Sequence, residues 1–485
     1  MSSPARTPAS RSEEWRFEET GDPCEWSEDS RPGGFHPVNI GDIFKDGRYR
    51  VIRKLGYGSF STVWLVVDND SPRYLAMKIM MAKQSSFSDT ELEIDRHLAE
   101  RASSNVSQSK HVALSVDNFK HVGPNGIHLC LCYQPMGGTV ASMIEKLREN
   151  QHIKPPKGEC LRYPTWMAKL ILKHILLGLS FLHQNSVVHG DIQPGNFLFP
   201  TSNLDSLKEE ESKQSESHIT APLQRCDGKI DRWAPRHLML PQSLYKYADL
   251  GPGMFIKTSD LGAAFWSSNP PKETVTPVAL RAPELIFGEP FGSPIDIWSF
   301  GCLIYELLTG LRLFGVWMMG DDSQEEADDD HLMELNDVLE PLPDSWLHKW
   351  PRSHLFFGPN RERLDPPAEK DIDIGGDDEQ NAEYLERLGG VFDSEDGGMT
   401  PIEGDRDDVS NGDGFRIMDD PYPNFENDAP FINERLEVLF EKNKPADMST
   451  AEAEVVTSLI RQILQYDASG RPTVAQLLEH EWFKD

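Results

Sequence analysis

Five short segments, widely separated but in one order, constrain the fold of this 485-residue chain more than anything else in it: Gly56-Tyr57-Gly58, Lys78, His189-Gly190-Asp191, Asn196 and Asp260-Leu261-Gly262. The flanking patterns say what each is mounted on. Tyr49 to Leu55 and Ser61 to Val67 are β-rich runs on either side of the glycine turn, and Tyr74 to Ile79 is a third strand that carries Lys78. A small, mostly β lobe is expected there. From about Trp166 the apolar period changes: Met167, Leu170, Ile171, His174, Ile175, Leu177, Gly178 and Leu182 mark a buried helix running into Val187-Val188-His189. Lys169, Lys173 and His174 interrupt that run, so it reads as a core helix, and nowhere do the roughly 18 consecutive apolar residues of a membrane span occur.

Together the segments supply what phosphoryl transfer requires, which is positioning and positive charge against developing negative charge, with little covalent work. Gly56 and Gly58 let the backbone between two strands bend close over phosphates. Lys78 is a charge in an apolar strand, and an ammonium there needs a partner. The next helix, Asp89 to Arg101, offers Glu91 and Glu93. With Glu91 inward, Ile94 and Leu98 share its face, whereas Glu93 would bring Arg96 and Glu100 inside; Glu91 is therefore the expected partner. Asp191, just beyond a buried strand, is placed to act as a base on an acceptor hydroxyl, and Asn196 and Asp260 offer hard oxygens to magnesium. Singly these are weak signals, since Gly-x-Gly is a common hairpin, a strand lysine can snorkel to solvent and Asp-Leu-Gly is more often a turn. Their order makes the chemistry the economical reading.

The His-Gly-Asp-(x)4-Asn pattern also occurs in small-molecule kinases resembling aminoglycoside and choline phosphotransferases. Residues 281–301, RAPELIFGEPFGSPIDIWSFG, separate the two possibilities. Ala282-Pro283-Glu284, Asp296-Ile297-Trp298-Ser299 and Arg471 resemble the carboxyl lobe of protein kinases. That resemblance implies an α+β, two-lobed fold that uses ATP and Mg2+, with Lys78, Glu91, Asp191 and Asn196 catalytic and with Asn196 and Asp260 on the metal. It also implies a Glu284–Arg471 ion pair under the peptide-binding loop and an Asp296 that anchors the catalytic-loop backbone. The expected boundaries are a disordered tail at 1–35 and a kinase domain at 36–485. Its N-lobe covers about 49–136, its C-lobe about 137–485, and acidic, disordered inserts are expected at about 202–235 and 365–430.

The resemblance narrows upstream. GGFHPVNIGDIFKDGRYRVIRKLGYGSFSTVWL (33–65), DNFKHVGPNGIHLCL (117–131), SDLGAAFW (259–266), DDDHLMELNDVL (328–339) and GRPTVAQLLEHEWF (470–483) are similar to the SR-protein kinases, which phosphorylate serine in Arg-Ser repeats of splicing factors. This implies a serine/threonine protein kinase acting on basic Arg/Ser-rich proteins in mRNA splicing, as a monomer in cytoplasm and nucleus. A nucleotide pocket would be lined by Leu55, Gly56, Tyr57, Gly58, Ser59, Phe60, Ser61, Thr62, Val63, Ala76 and Lys78. Tyr133 would stand at its back, and the backbone of Gln134 and Met136 would pair with adenine. Asp328, Asp329 and Asp330 would hold substrate arginines, because a row of ion pairs adds multivalency to contacts that are individually weak. The chain departs from the family at three places. Gln193 stands where a lysine is usual and removes a cation beside the transferred phosphoryl, which is expected to slow turnover. Gly190 replaces an arginine that pairs with loop phosphate in many kinases, so activity without loop phosphorylation is expected. Pro277 takes the place of a threonine that helps position the base. A pseudokinase scaffold binding basic partners is the alternative that these departures keep open.

The net charge of −31 argues against contact with nucleic acid, whose phosphates call for Lys and Arg, and favours basic partners. Much of it is local, since 365–430 carries 21 acidic residues against four basic ones. Six cysteines show no metal or disulfide spacing, Cys130-x-Cys132 reads as a pair of buried thiols, and the first residues lack the apolar core of a signal peptide, so an intracellular, reducing compartment is expected. The polar stretch after Ser202 has neither strand nor helix period. Inserts of this kind are tolerable because loop closure grows only logarithmically with length.

Overall fold

The alternating first part of the chain forms a six-stranded antiparallel sheet in the order β1-β2-β3-β4-β6-β5, in a computed structural model that describes residues 15–18, 21–85, 89–104, 106–147, 161–202, 204–251, 253–316, 323–364 and 432–484. The strands are β1 Ile43–Phe44, β2 Tyr49–Gly58, β3 Ser61–Asp68, β4 Arg73–Met80, β5 Asp117–Gly123 and β6 Gly126–Tyr133. β2 and β3 close on a two-residue turn, with Gly58 opposite Ser61, and β2 shifts register twice, between Val51 and Arg53 and between Lys54 and Gly56. Such bulges add twist and re-aim the hairpin tip. One face of the sheet buries Val51, Trp64, Val66, Leu75, Met77, Cys130 and Cys132, so the two thiols are core groups.

The C-lobe is helical. Its central helix, Thr165–Gln184, buries Ile171, Leu172, Ile175, Leu176 and Leu179 completely. A second buried helix, Pro294–Thr309, begins with proline in its first turn and ends on Gly310 in the left-handed conformation, the punctuation that fixes both ends. Between these helices, short ladders hold the functional loops. In the first, β7 (Met136–Thr139), β9 (Phe197–Pro200) and β12 (Lys257–Thr258) form a three-stranded sheet; in the second, β8 (Val187–Val188) pairs with β13 (Phe265–Trp266). Phe265 lies opposite Val188 and Thr258 opposite Phe197, so the loops 189–196 and 259–264 are fixed side by side.

Two expectations need correction. The tail at 1–35 is ordered over 15–18 and 21–35, with Phe17 and Phe35 buried and Glu25 paired with the fully buried Lys54 of β2. The insert at about 202–235 is ordered as well, and it continues to Gly251. Leu204 and Leu244 pack with Ile52, Leu65 and Tyr74. Arg50 meets Glu209 at 2.7 Å. Gln214 N–H donates to Ile52 O at 2.8 Å, Lys54 N–H to Gln214 Oε1 at 3.0 Å, and Gln242 N–H to Lys54 O at 2.9 Å. These bonds cover the part of β2 beyond its short pairing with β1 at Tyr49 and Arg50, which would otherwise present unpaired backbone. The insert carries its own two-stranded ladder, β10 (Ile219–Pro222) with β11 (His237–Met239), and the N-terminal segment joins it through a Phe17–Arg225 bridge. The acidic insert at 365–430 lies outside the described residues.

Candidate active site

Lys78 is carried by β4 opposite Val63 of β3 and Leu131 of β6. The clamp helix, Asp89–Ala102, turns Glu91, Ile94 and Leu98 inward and leaves Glu93, Arg96 and Glu100 exposed. Lys78 Nζ lies 3.2 Å from Glu91 Oε1 and 2.8 Å from Asp260 Oδ1. Burial works against the ammonium, but Asp260 and Glu91 outweigh it and hold the Lys78 pKa well above its ordinary value. The same lysine charge is the main cause that lowers the pKa of Asp260. Asp260 has φ 60°, a left-handed conformation unusual for a non-glycine residue, and its Oδ1 accepts from Gly262 N–H at 3.3 Å. Backbone held in this region concentrates at functional sites.

The catalytic loop is fixed from beneath by Asp296, which is 1% exposed on the buried helix. Its Oδ2 accepts from His189 N–H at 2.9 Å and its Oδ1 from Gly190 N–H at 2.8 Å, while His183 Nε2 stands 2.8 Å from Oδ2. Burial opposes this charge, yet His183 and His189 keep the pKa below the ordinary aspartate value. Gly190 has φ +78°, and a Cβ there would stand 2.9 Å from Ala263 O. Glycine is therefore required by the backbone, and an arginine could not be restored without moving the loop. Thr276 Oγ1 donates to Gly190 O at 2.7 Å, and Arg281 Nε donates to Thr276 O at 2.9 Å. The threonine absent at Pro277 thus has a neighbour, one residue earlier, that ties residues 276–281 to the loop 189–196.

Asp191 is held from two sides. Gln193 Nε2 donates to both carboxylate oxygens at 2.8 Å, and Asn196 Nδ2 donates to Oδ2 at 2.8 Å and to Asp191 O at 2.9 Å. Burial raises its pKa above the ordinary aspartate value, against the pull of the Gln193 amide, His189 and Asn196. With its NH2 group committed to Asp191, Asn196 has Oδ1 as the atom able to ligate a metal. That amide oxygen and the Asp260 carboxylate form a hard-oxygen pair that suits magnesium, which takes one or two protein carboxylates and completes its shell with phosphate and water.

Lys78, Glu91, Asp191 and Asp260 line a cleft of about 1400 Å3 beneath the hairpin tip, bordered there by Gly58, Ser59, Phe60 and Ser61. A Cβ at Gly56 or Gly58 would meet nothing within 4 Å, so protein packing demands glycine at neither position. The ladders put Val63, Ala76, Lys78 and Tyr133 on one face of the sheet. Tyr133 lies beside Lys78, burial holding its phenol pKa well above normal while Lys78 opposes the rise. Tyr57 and Thr62 are directly opposed, and Thr62 Oγ1 accepts from Trp64 Nε1 on the other face, leaving these two residues only their backbone for a nucleotide. Leu55 packs against the cluster containing Ile52 and Leu65. Gln134 is exposed in the link from β6 to β7, and Met136 opens β7 opposite Pro200.

The three docking aspartates do not form one row. They lie on the acid helix, Gln324–Val338. Asp329 is buried and turned inward, accepting from Trp350 Nε1 at 2.5 Å and pairing with Arg352 at 2.8 Å. Asp328 faces Arg281 at 3.7 Å, and Asp330 is exposed. The Glu284–Arg471 pair is buried and bidentate, at 2.6 and 2.7 Å, with the guanidinium carbon 4.9 Å from the centre of the Trp298 ring. Sequence reasoning missed one wall of the cleft, where the N-terminal turn Asp29–Gly34 lies beside the hairpin tip. It is tied down by backbone bonds from Gly33 N to Asn125 O and from Lys83 N to Gly33 O, both 2.7 Å, which leave no side-chain signal.

Comparison with known proteins follows the same lines. The chain matches the protein kinase domain over residues 49–208 and 244–483, and the interval left out falls within the insert that covers β2. It is 31% identical over 350 residues to serine/threonine-protein kinase SRPK of Physarum polycephalum, covering 70% of this chain and 77% of that one. Over 397 residues it is 28% identical to protein kinase dsk1 of Schizosaccharomyces pombe, covering 65% and 70%. A crystal structure of a kinase domain superposes with a TM-score of 0.54 at 18% identity, over 93% of this chain and 99% of that one, a likeness of fold.

Proposed function

Because the chain belongs to the protein kinase family and, within it, to the SR-protein-kinase-like serine/threonine kinases, we propose that it transfers the γ-phosphoryl group of ATP to serine in Arg/Ser-rich proteins. The observation that carries the transfer is the pairing of Lys78 with both Glu91 and Asp260 in a cleft that Asp191 also lines, with Asn196 bonded to Asp191. Lys78 is held charged for the nucleotide phosphates, and Glu91 fixes its direction. Asp191 receives the serine proton as the serine oxygen bonds to the γ-phosphorus, while the bond from that phosphorus to the β-bridging oxygen breaks with its electron pair leaving on ADP. Magnesium, bound by Asn196 and Asp260, would neutralise phosphate charge.

The substrate class rests on the family resemblance and on charge. The acid helix carries an exposed Asp330 and places Asp328 3.7 Å from Arg281, which lies just after the turn beginning at Pro277, and a chain of net charge −31 attracts basic partners. A cytoplasmic and nuclear location and action as a monomer belong to the same reading. A serine peptide array with arginine replaced position by position tests it. Transfer falling at least tenfold when the flanking arginines become alanine is the expected result. Equal transfer to arginine-free peptides would remove the Arg/Ser assignment, and nucleotide binding without transfer to any acceptor would favour a scaffold.

A further inference from the structure

Gln193 stands where related kinases carry a lysine, and its side chain does something specific. A single nitrogen, Nε2, lies 2.8 Å from both Asp191 oxygens, so it sits near the bisector of the carboxylate and fixes the direction in which that group points. The other donor, Asn196 Nδ2, reaches Oδ2 alone. Oδ2 therefore accepts two hydrogen bonds and Oδ1 one. We propose that Gln193 is the positioning residue for the catalytic carboxylate, holding the direction of Asp191 by a neutral amide while the bond from Asn196 to Oδ2 leaves Oδ1 as the oxygen that takes the acceptor proton.

An amide is sufficient for this task because orientation needs a donor, whereas stabilising the transferred group needs charge. Among the described residues, both side-chain donors to the carboxylate are neutral amides, and Lys78 is bonded to Glu91 and Asp260. Turnover by this arrangement thus depends on geometry more than on local charge at Asp191. A carboxylate free to swing away from this direction would spend only part of its time with an open lone pair facing the hydroxyl, and small misplacements of a reacting group cost large factors in rate. Gln193 would then affect kcat with little effect on nucleotide binding, since no nucleotide role falls to it.

The inference rests on the kinase reading, and the test separates the two. The full chain is compared with Gln193→Leu, which removes the donor at similar size, with Gln193→Lys, which returns a donor, and with Asp191→Asn. The measurements are kcat, KM for Mg-ATP and for an Arg/Ser peptide, nucleotide affinity and melting temperature. Gln193→Leu is expected to lower kcat at least tenfold with KM for Mg-ATP and nucleotide affinity within twofold of the starting protein. Gln193→Lys is expected to restore kcat to at least the original value. A purely structural residue would instead move melting temperature and would not be rescued by a donor of different shape. An active wild-type chain with Gln193→Leu within twofold in kcat, or Gln193→Lys as slow as Gln193→Leu at an unchanged melting temperature, overturns the inference alone. A wild-type chain that binds Mg-ATP and transfers to no acceptor removes the kinase reading and the inference with it.

Discussion

Glu25→Ala should destabilise the N-lobe by about 3 kcal/mol, because it strands a cation inside the fold. Lys54 is fully buried, and Glu25, 8% exposed, is its ion-pair partner. Breaking a buried pair from one side typically costs about 3–5 kcal/mol, since the remaining charge has lost its compensation. The Tyr57 and Trp64 rings, with centres 5.1 and 5.8 Å from Lys54 Nζ, soften that penalty. Cation–π contacts contribute about 0.5–2 kcal/mol, which places the expected loss at the lower end of the range. The backbone of the same residue bonds Gln214 and Gln242 of the β2-covering insert, so Lys54 joins the N-terminal segment, the insert and the root of the glycine hairpin. Urea unfolding of Glu25→Ala, Lys54→Met and the double variant measures the effect. The double variant should recover most of the loss, as replacing a whole buried pair by apolar groups is often neutral or stabilising. A Glu25→Ala unfolding free energy within about 0.5 kcal/mol of the starting protein (about a twofold change in equilibrium constant) would refute docking of this segment.

Other perturbations test separate parts of the molecule. Glu334 accepts from Gly315 N–H at 2.7 Å, and burial pushes its pKa up to about 7 from an ordinary 4.5. A carboxyl raised on folding favours the protonated native state, so its penalty on stability grows as pH rises from about 4.5 to 7 and is complete above that; Glu334→Gln should be more stable at pH 8 by about 1–3 kcal/mol and equal at pH 4.5, read by denaturation at both values. Gly190→Ala places a side chain at φ +78° against Ala263 O, so stability should fall by at least about 1–2 kcal/mol and kcat with it, whereas an unchanged melting curve would mean that the loop does not hold this conformation. Asp329→Ala leaves Trp350 Nε1 and Arg352 without their carboxylate and should lower stability by about 1–3 kcal/mol, while Asp330→Ala should leave stability unchanged, as compared by thermal melts.

What could be read from the sequence was whatever a period or an ordered motif records. Helical phase singled out Glu91 because Ile94 and Leu98 share its side, and the clamp helix places those three inward. The order of Asp191, Asn196 and Asp260 located loops that β8, β9, β12 and β13 hold together. The N-terminal segment and the insert after Ser202 were illegible for a physical reason. They are held by backbone hydrogen bonds and by isolated buried groups such as Phe17, Glu25, Leu204 and Gln214, and single anchors carry no period. Asp329 was hidden by its neighbours' charge and by helical phase as well: buried Leu332 is three residues on, but buried Leu335, six on, lies roughly 120° away around the helix, so the spacing that identified Glu91 does not pick out Asp329. The substitution at Gln193 was visible as a lost cation, but which atoms its amide meets depends on the folded loop.

Transfer of labelled phosphate from γ-labelled ATP to an Arg-Ser peptide, by the full chain and by Asp191→Ala, tests the central claim most directly. Label on serine that depends on magnesium and falls by at least about a thousandfold in Asp191→Ala, with nucleotide affinity retained, is the expected result, a loss of roughly 4 kcal/mol in transition-state stabilisation. No transfer by the full chain, or transfer that Asp191→Ala leaves unchanged, would contradict it.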